Sequence, residues 1–206
     1  MARRSYHHGN LRRALLDAGL ELLAERGIEG FTLREVARRA GVSHAAPYHH
    51  FPHRDDLVRA IVAESFDLLG NGLSTAAATA GSEPMDRIAA MGRAYVSFAL
   101  DHPERYRLMF RTDQSRSDDS PAATDADEAG ARAFGTLMSA FQEAADRELL
   151  RDGVEAGTAA ITAWSSVHGL ASLVLEGSLG IRPEQRERAG QLTDEVVRLV
   201  LDGVRR

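Results

Sequence analysis

Apolar residues recur every three or four positions along almost the whole chain, and this period constrains the fold more than any other feature of the sequence. In 10–26 the step is kept by Leu11, Leu15, Ala18 and Leu22, with Arg12, Arg13, Glu21 and Glu25 between them. Near the other end, Ala189, Leu192, Val196, Val200 and Val204 form one stripe, flanked by Val197, Leu199 and Leu201. No Val/Ile/Thr alternation bounded by turn dipeptides occurs, so no sheet is expected. At 206 residues the chain can bury a core unaided, and with no cysteine it has no disulfide, thiolate nucleophile or Cys-based metal site. No run approaches the roughly 18 apolar residues of a membrane span. The first residues, Met1 to His8, lack the apolar segment of a secretory signal. The expectation is an all-α, soluble, cytoplasmic protein.

Start and stop signals divide the chain into about nine helices. Asn10 is the expected N-cap of the first, and Gly27 stops it in a left-handed conformation. Thr32 and Glu35 have the spacing of a capping box ahead of Leu33, Val36, Ala37 and Ala40. Gly41-Val42 breaks that helix. Ser43 caps a third, which runs to about His50 before Pro52. A fourth starts near Arg54-Asp55-Asp56, acids in its first turn as the helix dipole favours, and buries Leu57, Ile61, Ser65 and Leu68. Further helices are expected over 84–101, 103–110, 126–151, 154–178 and 184–204. Residues 112–127 contain nothing apolar larger than Ala and read as a mobile loop.

The charge is divided unevenly. The chain carries 25 basic and 30 acidic residues, net −5, yet residues 1–60 hold ten arginines against seven acids, net +3, and six of the eight histidines. A basic head on an acidic body points to a localised surface for a polyanion. Within that head, a short helix, a glycine turn and a second short helix have the layout of a helix-turn-helix, whose second helix enters the DNA major groove. Pro47 intrudes on it. With Ser43 as cap, Pro47 forfeits the first intrahelical hydrogen bond and crowds the Ser43 carbonyl, which predicts a displaced or tightened first turn.

The run Phe31-Thr32-Leu33-Arg34-Glu35-Val36-Ala37-Arg38-Arg39-Ala40-Gly41-Val42-Ser43, followed by Tyr48-His49-His50-Phe51 and Arg54-Asp55-Asp56-Leu57, resembles the DNA-binding domain of tetracycline-repressor (TetR) family regulators. The second half is similar, more weakly, to a subgroup carrying Trp-x-x-x-His-Gly, here Trp164 to Gly169. The resemblance implies an all-α fold with a three-helix DNA-binding domain over 9–69 and a larger helical ligand-binding and dimerisation domain over 70–206. It implies that His44 and Ala45 reach base edges, and that Thr32, Ser43, Tyr48, His49 and Arg54 touch phosphates. Arg3 and Arg4, with His7 and His8, form a basic arm that could reach the minor groove. Each also has a plain structural reading: Thr32 and Ser43 as caps, Tyr48 as packing, the arm as a solvated tail.

In the second half, Met91, Tyr95, Phe98, Tyr106, Met109, Phe110, Phe134, Met138, Phe141 and Trp164 gather at helical spacing, and His168 lies one turn beyond Trp164. Such residues build a core as readily as the wall of a ligand cavity. Read as a wall, the set Tyr95, Phe98, Tyr106, Met109, Phe110, Phe134, Met138, Phe141, Trp164 and His168 takes a small, mostly apolar effector. Gly169, Ser172, Gly177 and Gly180 would let helices of two copies approach, pairing the last two helices into a four-helix interface. The helix from Arg54 joins head to body and is the natural lever. His49 and His53 are four apart, but Pro52 between them breaks the helix that a metal pair needs, so no metal or other cofactor is expected. No nucleotide cradle or catalytic constellation stands out. The function expected is that of a homodimeric, ligand-responsive regulator, a repressor on a palindromic operator in double-stranded DNA. The competing reading is a helical protein–protein adaptor whose basic head meets an acidic partner.

Overall fold

A computed structural model of the chain describes residues 8–27, 30–110 and 121–206. These residues form eight α-helices: α1 (His8–Arg26), α2 (Leu33–Arg39), α3 (Arg54–Thr79), α4 (Pro84–Asp101), α5 (Pro103–Met109), α6 (Pro121–Asp146), α7 (Ala156–Leu175) and α8 (Arg186–Val204). A single 3₁₀ turn, Ala46–His49, lies between α2 and α3. Among the described residues there is no strand, only one isolated antiparallel bridge between Leu150 and Arg205.

Local chemistry accounts for the head. α1 buries Leu15, Leu16, Ala18, Leu22 and Leu23 and ends at Gly27, at φ +74°. It begins at His8, so Asn10 lies inside the helix rather than capping it. The Thr32–Glu35 capping box is present: the Glu35 amide donates to Thr32 Oγ1 at 3.3 Å, and the Thr32 amide donates to Glu35 Oε2 at 2.9 Å. α2 closes with Gly41 at φ +70°, its amide donating to the Arg38 carbonyl and that of Val42 to the Ala37 carbonyl. Paired bonds of this kind satisfy carbonyls that the helix end leaves open.

The third helix expected over Ser43 to His50 is reduced to the 3₁₀ turn. Pro47 has no N–H to give the Ser43 carbonyl, and the Ala46 amide, one residue earlier, donates to it instead at 3.0 Å. The next turn is equally tight, with the His50 and Phe51 amides both donating to the Pro47 carbonyl.

α3 runs through Gly70 and Gly72 without a break. Its buried stripe steps by four through Leu57, Ile61, Ser65, Leu69, Leu73 and Ala77, so Leu69 takes the inward position expected of Leu68, which is exposed. The first half of the stripe packs with α1 and α2 in one core. The second half joins a larger core built from α4 to α8. Leu108 of α5 belongs to the first core, while its neighbours Tyr106 and Met109 belong to the second.

The loop expected over 112–127 is shorter at its far end, because 121–127 form the start of α6. Alanine is the best helix former, and Pro121 sits where a helix tolerates proline, so the lack of large apolar residues did not signal a loop. Residues 111–120 lie outside the described residues. The other helix ends differ from expectation by a few residues.

α6 is followed by Glu148 at φ +56°, with the Leu149 amide donating back to the Ala144 carbonyl. A side chain in this left-handed position is strained, and glycine relieves it. Glu148→Gly should stabilise the protein by about 0.5–1 kcal/mol despite the extra freedom of the unfolded chain, read as a higher urea midpoint.

Candidate functional site

Two regions carry chemistry, one on the head and one inside the body. On the head, the tight turn at Pro47 presents Ser43, His44, Ala45, Tyr48 and His49 to solvent, and Thr32 at the start of α2 is exposed as well. Pro47 itself is buried and anchors the turn. Tyr48 leaves 48 % of its surface in water, more than packing alone would leave to an aromatic ring. Arg54 is half-buried at the start of α3 and donates to Asp55 Oδ1 at 2.9 Å. Arg3 and Arg4 lie outside the described residues.

Arginines that sequence reasoning passed over are placed informatively. Arg39 of α2 is held by Glu21 and Glu25 of α1, and Arg26 by Glu35, so these charges are spent within the head. Pairing with arginine also holds the Glu25 and Glu35 carboxyls below their ordinary range. Arg34 and Arg38, four apart on a different exposed face of α2, have no ion pair among the described residues. Arg12 lies over the Phe51 ring, 5.6 Å from its centroid. Spacing alone does not distinguish a neutralised arginine from one left open to an anion, because the acids responsible come from another helix.

Inside the body, a narrow cavity runs among α3, α4, α6, α7 and α8. Its walls include Phe66, Leu69 and Leu73 of α3, Met91 and Gly92 of α4, and Val197, Val200 and Leu201 of α8. Of the residues expected to face a ligand, Tyr95, Phe110, Phe134 and Trp164 line it. Phe98, Tyr106, Met109, Met138, Phe141 and His168 do not. Phe141 is fully buried in the core, and the helical register turns Tyr106, Met109 and Phe98 into the packing behind the wall. Among the described residues no charged side chain lines the cavity. A β-carbon on Gly92 would stand 2.8 Å from Val197 Cγ2, so this glycine sets the closest approach of α4 and α8 along the wall.

The cavity's polar groups gather at one place. Trp164 Nε1 donates to the Tyr95 hydroxyl at 3.4 Å, and Tyr95 Oη lies 2.9 Å from His168 Nδ1. Tyr106 Oη is also 2.9 Å from Nδ1, and it is 3.0 Å from the His168 carbonyl oxygen and 3.1 Å from Ser172 Oγ. Phe110 closes over the cluster with its ring 4.5 Å from that of His168. Burial pushes both tyrosine hydroxyls up, so they stay protonated, and it pushes His168 down toward the neutral form. Among the described residues no group of three His, Cys, Asp or Glu side chains is placed to hold a metal.

The head and the cavity meet at α5. Arg105, buried, donates to Ser65 Oγ at 3.1 Å and to Glu64 Oε1 at 2.9 Å, and Glu64 Oε2 takes Arg13 of α1 at 3.3 Å. A few residues on, Leu108 is buried in the head core and Phe110 lines the cavity.

Comparison with known proteins adds two matches to families. Residues 15–61 match the family described as bacterial regulatory proteins, tetR family, and residues 88–198 match the tetracyclin repressor-like C-terminal domain. An uncharacterised HTH-type transcriptional regulator of Mycobacterium tuberculosis is 27 % identical over 195 residues, covering 95 % of this chain and 82 % of that protein. A solved protein of unknown function from Rhodococcus sp. RHA1 superposes with a TM-score of 0.83 at 33 % identity, covering 99 % of this chain and all of the other. The transcriptional regulator FadR of Bacillus subtilis, solved with stearoyl-CoA, shares the fold at a TM-score of 0.75 and 14 % identity, covering 93 % of this chain and 98 % of that one.

The buried histidine gives a test by pH. His168 resists protonation when folded but titrates near 6.5 when unfolded. Below that pH the unfolded chain therefore takes up a proton that the native state refuses, and stability falls until the native imidazole is itself protonated. His168→Asn keeps an acceptor near Nδ1 without titrating. The gap in urea midpoint between the native protein and this variant should shift against the native protein from pH 7 to pH 5. A constant gap would mean that His168 takes up its proton as readily folded as unfolded.

Proposed function

We propose, for a chain that belongs to the tetracycline-repressor family of bacterial regulators, that it represses transcription as a homodimer on a palindromic operator and is released by a slender, mostly apolar effector. The observation that carries this reading is the position of α5. Leu108 is packed in the head core, and two residues later Phe110 stands in the cavity wall, so a molecule that moves Phe110 acts on the head directly. An effector that fits only one setting of α5 weakens DNA binding by its differential affinity, typically about 1–3 kcal/mol in such couplings.

The chemistry of each region supports its role. The exposed turn over Ser43 to His49 offers His44 and Ala45 to base edges. Thr32, Ser43, Tyr48, His49 and Arg54, joined by Arg34 and Arg38, which have no ion pair among the described residues, are suited to phosphates. Arg3 and Arg4 would extend this surface as an N-terminal arm. The cavity, with no charge in its wall among the described residues, suits an alkyl or acyl chain better than an ionic molecule. In this reading residues 9–69 form the DNA-binding domain and 70–206 the sensor, and the protein works in the cytoplasm, where its operator lies.

Pairing through α7 and α8 explains what the single chain leaves open. α7 has no charged residue from Ala156 to Leu175, although one of its faces meets solvent. Ile161 is 56 % exposed and Leu199 of α8 63 %, with Leu173 and Leu179 also uncovered. Gly169, inside α7, has open space where a β-carbon would go. A glycine in a helix interior costs about 1 kcal/mol relative to alanine and gains nothing within this chain, whereas a second copy could press against it. Gly177 and Gly180 have another explanation, since both sit at positive φ in the turn after α7.

Two measurements test the reading. Duplexes selected from a random pool should contain inverted repeats, and affinity for them should fall steeply with salt. Arg38→Ala should lower the salt slope by about one without changing sequence preference. If binding were flat across salt concentrations, or the selected duplexes shared no repeat, the DNA-binding assignment would be lost. Ile161→Glu combined with Leu199→Glu should halve the mass seen in sedimentation and weaken operator binding at least tenfold, and an unchanged mass would remove this interface.

A further inference from the structure

The polar cluster behind the cavity contains an imbalance. Tyr95 and Tyr106 hydroxyls both lie 2.9 Å from Nδ1 of His168. A neutral imidazole offers one in-plane lone pair, so Nδ1 accepts from one hydroxyl at a time. The two tyrosines are unequal in their alternatives. Tyr106 has the His168 carbonyl at 3.0 Å and Ser172 Oγ at 3.1 Å. Tyr95 already accepts from Trp164, which can only donate, and it is the one of the two that lines the cavity. The arrangement that gives every hydroxyl and indole proton of the cluster an acceptor has Tyr95 donating to Nδ1, Tyr106 donating to the His168 carbonyl and Ser172 donating to Tyr106 Oη.

We propose that Tyr95 and Tyr106 exchange the Nδ1 acceptor when the cavity takes up an uncharged apolar chain bearing a carbonyl oxygen. Tyr95 turns its hydroxyl proton to the ligand oxygen, Trp164 continues to donate to Tyr95, and Tyr106 moves onto the vacated Nδ1. Every hydroxyl and indole proton of the cluster keeps an acceptor in either state. The ligand must supply an acceptor, because the hydroxyl it meets is held protonated by burial. An uncharged ligand suits it there, because among the described residues the wall contains no cation to pair with a carboxylate. Tyr106 Oη already lies within hydrogen-bond distance of Nδ1, so the exchange turns its proton from the His168 carbonyl to Nδ1 while Ser172 goes on donating to it. This rests on the reading of the cavity as the effector site and specifies what that site recognises.

Trp164 is the single tryptophan and lines the cavity, so its emission reports occupancy in the full-length protein. The probes are 2-decanone and 2-methyl-1-decene, which differ only in replacing the carbonyl oxygen by a methylene group. The native protein should bind the ketone about tenfold more tightly than the alkene, as one added hydrogen bond provides. In Tyr95→Phe that ratio should fall to about one. Tyr106→Phe is the decisive variant, because Tyr106 is absent from the wall. There too the ratio should collapse, since Nδ1 loses its partner when Tyr95 turns away, and a merely structural tyrosine would lower both affinities alike. Equal affinities in the native protein would overturn the proposal without recourse to any variant, while leaving the apolar cavity standing. A full ratio in Tyr106→Phe would overturn the exchange. If neither probe changed Trp164 emission, the effector site itself would be lost, and this proposal with it.

Discussion

Where α5 crosses α3, a guanidinium sits out of water. Arg105 is held there by Ser65 Oγ and Glu64, and Glu64 in turn holds Arg13 of α1. Ser65 is fully buried, and its hydroxyl donates to the Ile61 carbonyl at 2.6 Å, so it accepts from Arg105 while satisfied as a donor. A buried charge of this kind is costly unless its partners are in place, and removing one of them strands the other. The seam therefore has few tolerated settings. In the proposed coupling that rigidity suits α5 to transmit: a short helix free to slide would absorb a push on Phe110 instead of passing it to Leu108.

The seam also explains how one chain serves two chemistries. The head keeps its polar groups on the outside, where a tight turn holds Tyr48 and its neighbours in solvent, and it neutralises Arg26 and Arg39 across the contact of α1 with α2. The body puts its polar groups inside, as a small network of hydroxyls and one imidazole at the end of an uncharged cavity. Hydrogen bonding in such a site is demanding, because an unpaired donor in a dry setting loses more than one at the surface. Each half is sensitive to a different partner, and α3 and α5 are the elements common to both.

Much of the fold was legible from the chain alone. The helical period of Leu11 to Leu22, the Thr32–Glu35 box and the glycines at 27 and 41 each act within a few residues, and each appears as expected. Pro47 was legible for the same reason, since a missing N–H affects the carbonyl four residues back. The reading missed where locality ends. Leu68 and Leu69 are equally apolar, and only the direction in which the bundle continues decides that Leu69 points inward. Residues 121–127 have nothing to bury, yet alanine propensity carries α6 through them. Of the aromatic residues collected as a cavity wall, Tyr95 and Trp164 face the space while Phe141 and Tyr106 stand behind it. Period gives the face of a helix, and the neighbouring helices decide whether that face meets a cavity or a packed side chain.

Sequence by itself therefore determined that the described residues fold into helices without a strand, that the first sixty residues are net basic, and where the glycines and prolines stop or tighten a helix. Those are consequences of covalent geometry and of hydrogen bonds closed over three to five residues. Only the tertiary structure decided which arginines of α2 are neutralised, which half of α3 belongs to which core, and that two hydroxyls converge on one nitrogen of His168. Each of these joins residues from helices far apart in the chain, and distance along a sequence carries no information about such meetings.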